Sequence, residues 1–372
     1  MSAKLNVLIP DGDSTWAMAV IHCLCKIKDY RLFVLSNKKR TPSKYSRYTY
    51  KYSFVERTSD QLWLDVINTK VKSYNIDIII PIAENEIMFF IENRLKILDS
   101  VKLIPMPKIS AFKTASNKRA LSEFCDLYKI PHPKSILTDK PEIDTLYQND
   151  ISFPILIKPL DQKGGDGIVK VNNPQDYEAI INRDMGSMFI QEFIEGYDID
   201  CSVLCHEGNI LSYTIQRGNL KGHNDFAPQL GFDLYDNPDV LSVVNDVMSA
   251  LNWSGIAHVD LRYDEKSNRY CIIEINPRFW GSIGASLNAG VNFPHLSIEL
   301  ALHNTVQSIQ FNKGEYMRLK GVIKTIKRRP GFIFKRNYML ERTEAKSFLN
   351  DPMPTVYRFI EWSGRKLKRN SN

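Results

Sequence analysis

Glu274-Ile275-Asn276-Pro277-Arg278-Phe279-Trp280-Gly281-Ser282 follows Asp260 at a distance of fourteen residues. Residues 256–263 alternate, with His258, Asp260 and Arg262 on one face and Val259, Leu261 and Tyr263 on the other. Asp264 to Asn268 reads as a turn, and Arg269 to Asn276 as the returning strand, with Cys271, Ile273 and Ile275 on its apolar face. Period-two alternation across a short polar turn predicts a β-hairpin. Folding about that turn sets Asp260 opposite or diagonal to Ile272 and Glu274. Asn276 shares the face of Glu274, and Arg278 lies just past the strand end. Two carboxylates and an amide oxygen converge there and would repel one another uncompensated. A hard divalent cation such as Mg²⁺ takes such oxygen ligands together with bound phosphates.

Outward from the hairpin, the chain has 372 residues, too many for one ordinary core, so several packed units are expected. With 43% hydrophobic and 24% charged residues it has the composition of a soluble globular protein. No apolar run reaches the roughly 18–20 residues a membrane span needs. Met1 passes directly into the strand-like Val7-Leu8-Ile9, unlike a signal peptide. Six cysteines without a CxxC pair suit buried thiols in the cytoplasm, and no His/Cys cluster has zinc spacing. The net charge of +7 is uneven: residues 311–372 hold 16 Lys and Arg against 5 Asp and Glu, so residues 1–310 carry −4.

From the N-terminus, strands at 5–9, 31–35 and 76–80 alternate with helices capped at Ser14 (running to about Lys28) and covering roughly Asp60 to Tyr74. That order predicts a parallel α/β sheet. The first turn has one glycine, Gly12, and no GxGxxG, which excludes a dinucleotide fingerprint. Ser116 is expected to cap a helix to Tyr128 whose apolar face is Leu121, Phe124 and Leu127. Strands follow at 153–158, 168–171 and 188–193, then a hairpin of 199–206 with 210–216, and a helix from Val240 to Leu251. Beyond Gln310 the pattern turns irregular and basic.

Between two of these strands lies a glycine loop, Leu160 to Gly167, with Gly164, Gly165 and Gly167. A P-loop runs from strand into helix, so this is instead either a plain Gly-rich hairpin turn or a lid whose bare amides can approach phosphate. Lys158 and Lys163 add positive charge. Gln191-Glu192-Phe193-Ile194-Glu195-Gly196-Tyr197-Asp198 reads either as an ordinary strand end or as a strand entering an extended connector, whose backbone donor and acceptor can match the edge of adenine.

Lys118 on a helix, Lys158 with the glycine loop, the Gln191–Asp198 connector, then Asp260, Glu274, Asn276 and Arg278 occur in an order that resembles the ATP-grasp superfamily. The nearest likeness is to its carbamoyl-phosphate synthetase large-chain and biotin carboxylase branch. Asn117-Lys118 before Ile130-Pro131-His132-Pro133, and Ser46-Arg47-Tyr48 in the N-terminal unit, add to a resemblance over about residues 5–310. It implies a mixed α/β and α+β architecture. A parallel pre-ATP-grasp domain (1–107) would precede a two-lobed ATP-grasp domain (108–310, lid lobe about 130–190) and a basic extension (311–372).

The resemblance also implies roles. Lys118 and Lys158 bind the α- and β-phosphates of ATP, while Lys163 and Gly164 to Gly167 close over the β- and γ-phosphates. Gln191, Glu192, Phe193 and Ile194 hold adenine, and Asp198 the ribose. Asp260, Glu274 and Asn276 coordinate Mg²⁺, with Mn²⁺ as a substitute, and Arg278 faces the transferred phosphoryl group. The chain departs from the pattern in the shorter Asp198, where Glu is commoner, and in Ile194-Glu195-Gly196. The implied activity joins a carboxylate to an amine through an acyl phosphate. Bicarbonate or carbamoyl chemistry and a catalytically silent nucleotide-binding regulator are the alternatives.

Substrate determinants are fainter. Arg217, Lys221 and His223 lie in a polar segment that either meets an anionic substrate or is plain surface. Glu84 follows a strand end, where α/β units bind ligands. His258 is either a satisfied polar residue or a support for the metal site, and Phe279 and Trp280 either core or pocket wall. The basic, aromatic tail reads chiefly as a packed extension with a solvated charged face, the alternative being weak contact with anionic lipid. No nucleic-acid motif is present, and homo-oligomers remain open.

Overall fold

The computed structural model describes residues 4–138, 142–159, 167–181, 188–222, 227–307 and 309–370. The chain begins with β1 (Leu5–Ile9), β2 (Tyr30–Ser36), β3 (Thr49–Phe54), β4 (Ile78–Ile79) and β5 (Lys102–Leu103), a parallel sheet in the order β3-β2-β1-β4-β5. Both faces of β1 are covered, as a parallel sheet requires. Val7 and Ile9 pack on the helix Ala17–Leu24, while Leu8 packs on Trp63, Leu64 and Ile67 of the helix Asp60–Tyr74. Ser59 caps that second helix through Leu62 N, and Asn75 ends it in a left-handed conformation (φ 48°).

Several expectations change here. The first helix starts at Ala17 and stops at Leu24, short of Lys28; Ser14 sits in the preceding turn, accepting from Trp16 N at 3.4 Å. The basic, Tyr-rich stretch contains β3, an edge strand without apolar alternation. Gly12 serves close packing: a Cβ there would lie 2.1 Å from Val34 Cγ1 and 2.8 Å from Leu35 O. Ser116 ends one helix (Ile109–Ser116) rather than capping the next, because Asn117 Oδ1 takes the Ala120 amide at 3.0 Å and opens the helix Lys118–Tyr128. Leu127 on that helix is exposed, so its buried face is narrower than the sequence suggested.

A four-stranded antiparallel sheet follows: β6 (Ser135–Thr138), β7 (Ile155–Pro159), β8 (Val169–Val171) and β9 (Met188–Glu192), in the order β6-β9-β7-β8. Its core joins Ile155, Ile157 and Ile190 to Leu146 and Tyr177. The third sheet contains β10 (Gly196–His206), β11 (Asn209–Leu220), β12 (Gly231–Leu234), β13 (Gly255–Asp264), β14 (Arg269–Asn276) and β15 (Gly314–Met317), ordered β14-β13-β10-β11-β12-β15 and antiparallel throughout. The helix Pro238–Ala250 covers one face, burying Val240, Val244 and Val247 against Ile199, Cys201, Val203 and Val259.

Simple alternation fails in β14. Leu261 pairs with Ile272 while Asp260 pairs with Glu274, so Ile273 is an extra, bulged residue. Ile272 and Ile275 therefore join the same core, and Cys271 does not. A bulge re-aims the side chains beyond it, and here those are Glu274 and Asn276. The tail is also more regular than its composition suggests, for β15 pairs with β12 and helices follow. Asp351 fastens it to the first unit, accepting from Ser46 Oγ at 2.5 Å and Arg47 N at 3.1 Å, with His22 Nε2 at 3.2 Å.

Candidate active site

The face of the six-stranded sheet opposite the helix Pro238–Ala250 is polar. On it Asp260 lies between two other carboxylates, facing Glu274 across to β14 and Asp200 across to β10. Burial pushes the Asp260 carboxyl well above the usual carboxylate range, and repulsion from Asp200 and Glu274 adds to this. Asp260 Oδ2 accepts from Asn276 Nδ2 at 3.1 Å, and Asn276 Oδ1 accepts from Arg278 Nη2 at 2.5 Å. Asp200 is pushed up to about 7, mainly by burial, although its Oδ2 accepts from Gln216 Nε2 at 3.0 Å. Gln216 also donates to Ser282 Oγ at 2.7 Å, leaving its buried Oε1 without a partner among the described residues.

His258 stands behind this cluster. Its Nδ1 is 2.9 Å from Ser202 Oγ and its Nε2 is 3.3 Å from Asp260 Oδ1. The ring stacks on Trp280 with centroids 5.2 Å apart. Burial, with Arg278 nearby, pushes its pKa down to about 3, so the imidazole is neutral at ordinary pH. One ligand atom each from Asp200, His258 and Asp260 lie within 4.8 Å of one another. Phe279 and Trp280 are fully buried core.

Arg278 joins the sheet to the N-terminal unit. Its guanidinium lies 3.9 Å over the Trp16 ring, its Nη1 donates to Phe279 O at 3.0 Å, and its Nε is 3.7 Å from Glu84 Oε1. Asp11 holds that junction by accepting from the amides of Ile82 and Ala83, while Phe279 N donates to Ile82 O at 3.3 Å. Glu84, at the start of the helix Glu84–Glu92, thus reaches the site.

The four-stranded sheet brings up positive charge. Lys158 on β7 is buried, with Nζ donating to Gln191 Oε1 on β9 at 2.6 Å. Burial pushes its pKa down to about 8; Glu274 opposes that shift and Lys118 reinforces it. Lys118 Nζ lies 4.0 Å from Glu274 Oε2. Lys118, Lys158, Glu274 and Asp260 therefore share one electrostatic neighbourhood, fed by two sheets and one helix start.

Two family models match this chain: "ATP-grasp in the biosynthetic pathway with Ter operon" over residues 184–322, and "Prokaryotic glutathione synthetase, ATP-grasp domain" over residues 118–228. Both models are of ATP-grasp domains, and together they span residues 118–322. A curated relative, the carbamoyl phosphate synthase large chain of Methanobrevibacter smithii, is 21% identical over 272 residues, 68% of this chain. The match spans only 25% of that relative's length. Among solved structures, N5-carboxyaminoimidazole synthetase from Staphylococcus aureus complexed with ADP is similar with a TM-score of 0.67 and 15% identity, covering 91% of this chain and 87% of that one. The L-amino acid ligase from Bacillus licheniformis gives 0.59 and 16%, with coverages of 82% and 75%. The biotin carboxylase domain of the Hydrogenobacter thermophilus 2-oxoglutarate carboxylase gives 0.61 and 17%, with 85% and 74%. At these identities the structural likeness is one of fold.

The connector after β9 is pinned by a residue whose role is not legible in the sequence. Arg262, on the same face as Asp260, donates from Nε to Ile194 O (2.5 Å), from Nη2 to Gly196 O (2.9 Å) and from Nη1 to Asp198 Oδ1 (2.5 Å). Phe193 is flanked by Arg262, 4.9 Å from its ring centroid, and by Lys170 at 3.6 Å. Gly196 is obligatory: its φ is +144°, and a Cβ would lie 2.0 Å from Tyr263 O. Glu192 turns aside, its Oε1 accepting from Ser152 N and Oγ, both at 3.2 Å.

Not every expected residue arrives. Strand parity places Arg217 on the other face of β11 from Gln216, with its guanidinium 3.6 Å over Tyr197. Arg217 therefore faces away from Asp200 and Asp260. Lys221 is exposed, and its carbonyl accepts from Lys324 Nζ at 2.8 Å. Gly167 has a left-handed φ of 73°. Lys163, Gly164, Gly165 and His223 lie outside the described residues. Asp200, Gln216 and Trp16 join the site, and Arg262 takes its connector role, without a sequence motif that assigns them there. The period-two pair Asp198 and Asp200 in β10 was the available signal for Asp200, whereas the Trp16–Arg278 contact spans the fold and left none.

Proposed function

We propose that this protein is an ATP- and Mg²⁺-dependent ligase that joins a carboxylate to an amine through an acyl phosphate, releasing ADP and phosphate. The observation that carries this is the convergence of Asp260, Glu274 and Asn276 with Arg278, Lys118 and Lys158. The donor set fits the metal: two carboxylates and an amide oxygen are hard ligands, and their crowding around buried Asp260 calls for positive charge. Asp260, Glu274 and Asn276 would hold Mg²⁺, which when bound neutralises phosphate charge.

The chain's own residues account for the rest. Lys158 and Lys118 draw the phosphates onto the sheet. Arg278 is already oriented by Asn276 and Trp16, and its buried Nε has no hydrogen-bond acceptor among the described residues. It therefore suits charge that builds on a phosphoryl group in flight. The connector from Gln191 to Ile194 takes adenine, and Asp198 the ribose. Asp200 faces the same spot from β10 and suits the ammonium of an incoming amine. Glu84 holds Arg278 from the first unit and borders the acceptor side. Little proton chemistry is asked of the protein in the phosphoryl step, and neutral His258 only buttresses Asp260.

The likeness to the L-amino acid ligase favours an amino-acid or peptide-like acceptor. A bicarbonate substrate is the second reading; the 2-oxoglutarate carboxylase domain was solved with MgADP and bicarbonate. Six free cysteines suit a cytoplasmic setting. The test is turnover of Mg-ATP against pools of carboxylates with and without amines, separating ADP from AMP. ADP release that needs one carboxylate and one amine supports the ligase. AMP release excludes the acyl-phosphate route, and ADP release with bicarbonate alone selects the second reading.

A further inference from the structure

The helix Met353–Asn370 carries apolar side chains that are exposed among the described residues. Met353, Val356 and Ile360 repeat at i, i+3 and i+7, with Phe359 and Trp362 alongside, and all five are exposed. Phe359 is 65% exposed, Ile360 62% and Trp362 57%, and the two aromatic rings lie against each other at 6.0 Å. Elsewhere in the extension Ile333, Phe334 and Leu349 are exposed as well. The helix is anchored beside Met353 and Ile360: Tyr357, four residues after the one and three before the other, stacks on Tyr45 at 4.7 Å and donates to Arg40 O at 3.3 Å, while Asp351, two residues before the helix, is locked to Ser46 and Arg47. That anchor turns Phe359 and Trp362, on the side of the helix away from Tyr357, outward. The helix then runs into Arg365-Lys366-Leu367-Lys368-Arg369.

We propose that this helix docks the protein on an anionic membrane surface, lying in the interface with Phe359, Ile360 and Trp362 among the acyl chains and the basic end among the headgroups. A helix with exposed aromatic and aliphatic residues beside a lysine and arginine cluster has the amphipathic form that binds in this way. The charge selects the occupant. The extension carries +11, so a second copy of the same face would be repelled. Nucleic acid would satisfy the lysines and arginines but leave Met353, Val356 and Ile360 in water. Only a surface that is negative outside and apolar a few ångströms below satisfies both features. Among the described residues no helix is long and apolar enough to cross a membrane, so the attachment is peripheral. The inference is independent of the ligase reading.

Sedimentation of the full chain with vesicles tests it. Vesicles of phosphatidylcholine mixed equally with phosphatidylglycerol should carry the protein down, and pure phosphatidylcholine should carry at least tenfold less. Two variants dissect the face, F359S/W362S and the charge reversal R365E/K366E/K368E/R369E. Both should keep the parent's melting temperature, and each should lower partitioning by about tenfold or more. Equal partitioning of parent and both variants overturns the proposal, as does failure of the parent to bind anionic vesicles. Salt-sensitive binding to single-stranded RNA without vesicle binding, or loss of self-association in F359S/W362S without vesicle binding by the parent, also overturns it, assigning the face to nucleic acid or to a second copy.

Discussion

Asp260 and Glu274 are direct cross-strand partners on one face of an antiparallel sheet, with a bulge at Ile273 setting their register. Like charges placed opposite each other destabilise a sheet, and burial already holds the Asp260 carboxyl above its usual range. Lys118, 4.0 Å from Glu274, compensates only in part. The sheet therefore carries a repulsion that a bound cation would relieve.

Glu274→Gln should separate folding from chemistry. Without metal the variant should be as stable as the parent or more so, by about 0.2–1 kcal/mol, because one of two facing charges is gone. Acceptor-dependent ADP release should fall by roughly 10²–10³-fold, the scale seen when one electrostatic partner of a transition state is removed. Chemical denaturation in chelator and steady-state turnover in Mg²⁺ measure the two effects. Parental turnover in the variant would remove Glu274 from the metal site.

Lys158 gives a pH dependence with a definite sign. Burial holds its pKa at about 8 in the free protein. Phosphate favours the ammonium form, so above pH 8 the free protein must take up a proton before Lys158 can contribute to binding. Affinity for Mg-ATP should be flat below about pH 7.5 and weaken above pH 8, by up to about tenfold per pH unit. Titration calorimetry across this range should show proton uptake on binding. In Lys158→Met the slope should vanish along with most of the affinity.

The sequence and the structure agree most where periodicity is local. The helix Asp60–Tyr74 and the hairpin carrying Asp260 and Glu274 follow from patterns within a few residues of each site. The bulge at Ile273 was not legible, because Cys271, Ile273 and Ile275 alternate as an unbroken strand would and only pairing with β13 shows the extra residue. The shift from Ser116 to Asn117 as a cap turns on which of two adjacent polar residues leaves helical geometry. Arg262 was placed on the correct face but given no task, since its acceptors lie 64 to 68 residues away in sequence.

Arg262 should govern nucleotide affinity and leave the chemical step alone. It ties two connector carbonyls to the Asp198 carboxylate. Arg262→Ala should raise the KM for ATP about tenfold or more, since hydrogen bonds from a charged donor are worth about 1.5–3 kcal/mol. The kcat at saturating ATP should change less than about twofold. Arg262→Lys should recover only part of the loss, because an ammonium cannot reproduce the planar fork. A fall in kcat with KM unchanged would place Arg262 with the reacting groups instead.

Trp16 should affect catalysis from the other unit. Its ring supports the Arg278 guanidinium at 3.9 Å, and such contacts contribute about 0.5–2 kcal/mol, more as they are desolvated. Trp16→Leu keeps an apolar residue beside the helix Ala17–Leu24, so the core around Ile21 and Phe293 should survive with little change in denaturation midpoint. Arg278 would retain its bonds to Asn276 and Phe279 but lose the platform that fixes its plane. The kcat should then fall by roughly 3- to 30-fold while the KM for ATP stays near the parental value. Arg278→Lys, which loses the fork itself, should fall further. If Trp16→Leu costs nothing in R278K but several-fold in the parent, the two residues act through one another. Equal losses in both backgrounds would mean that Trp16 acts by some route other than Arg278.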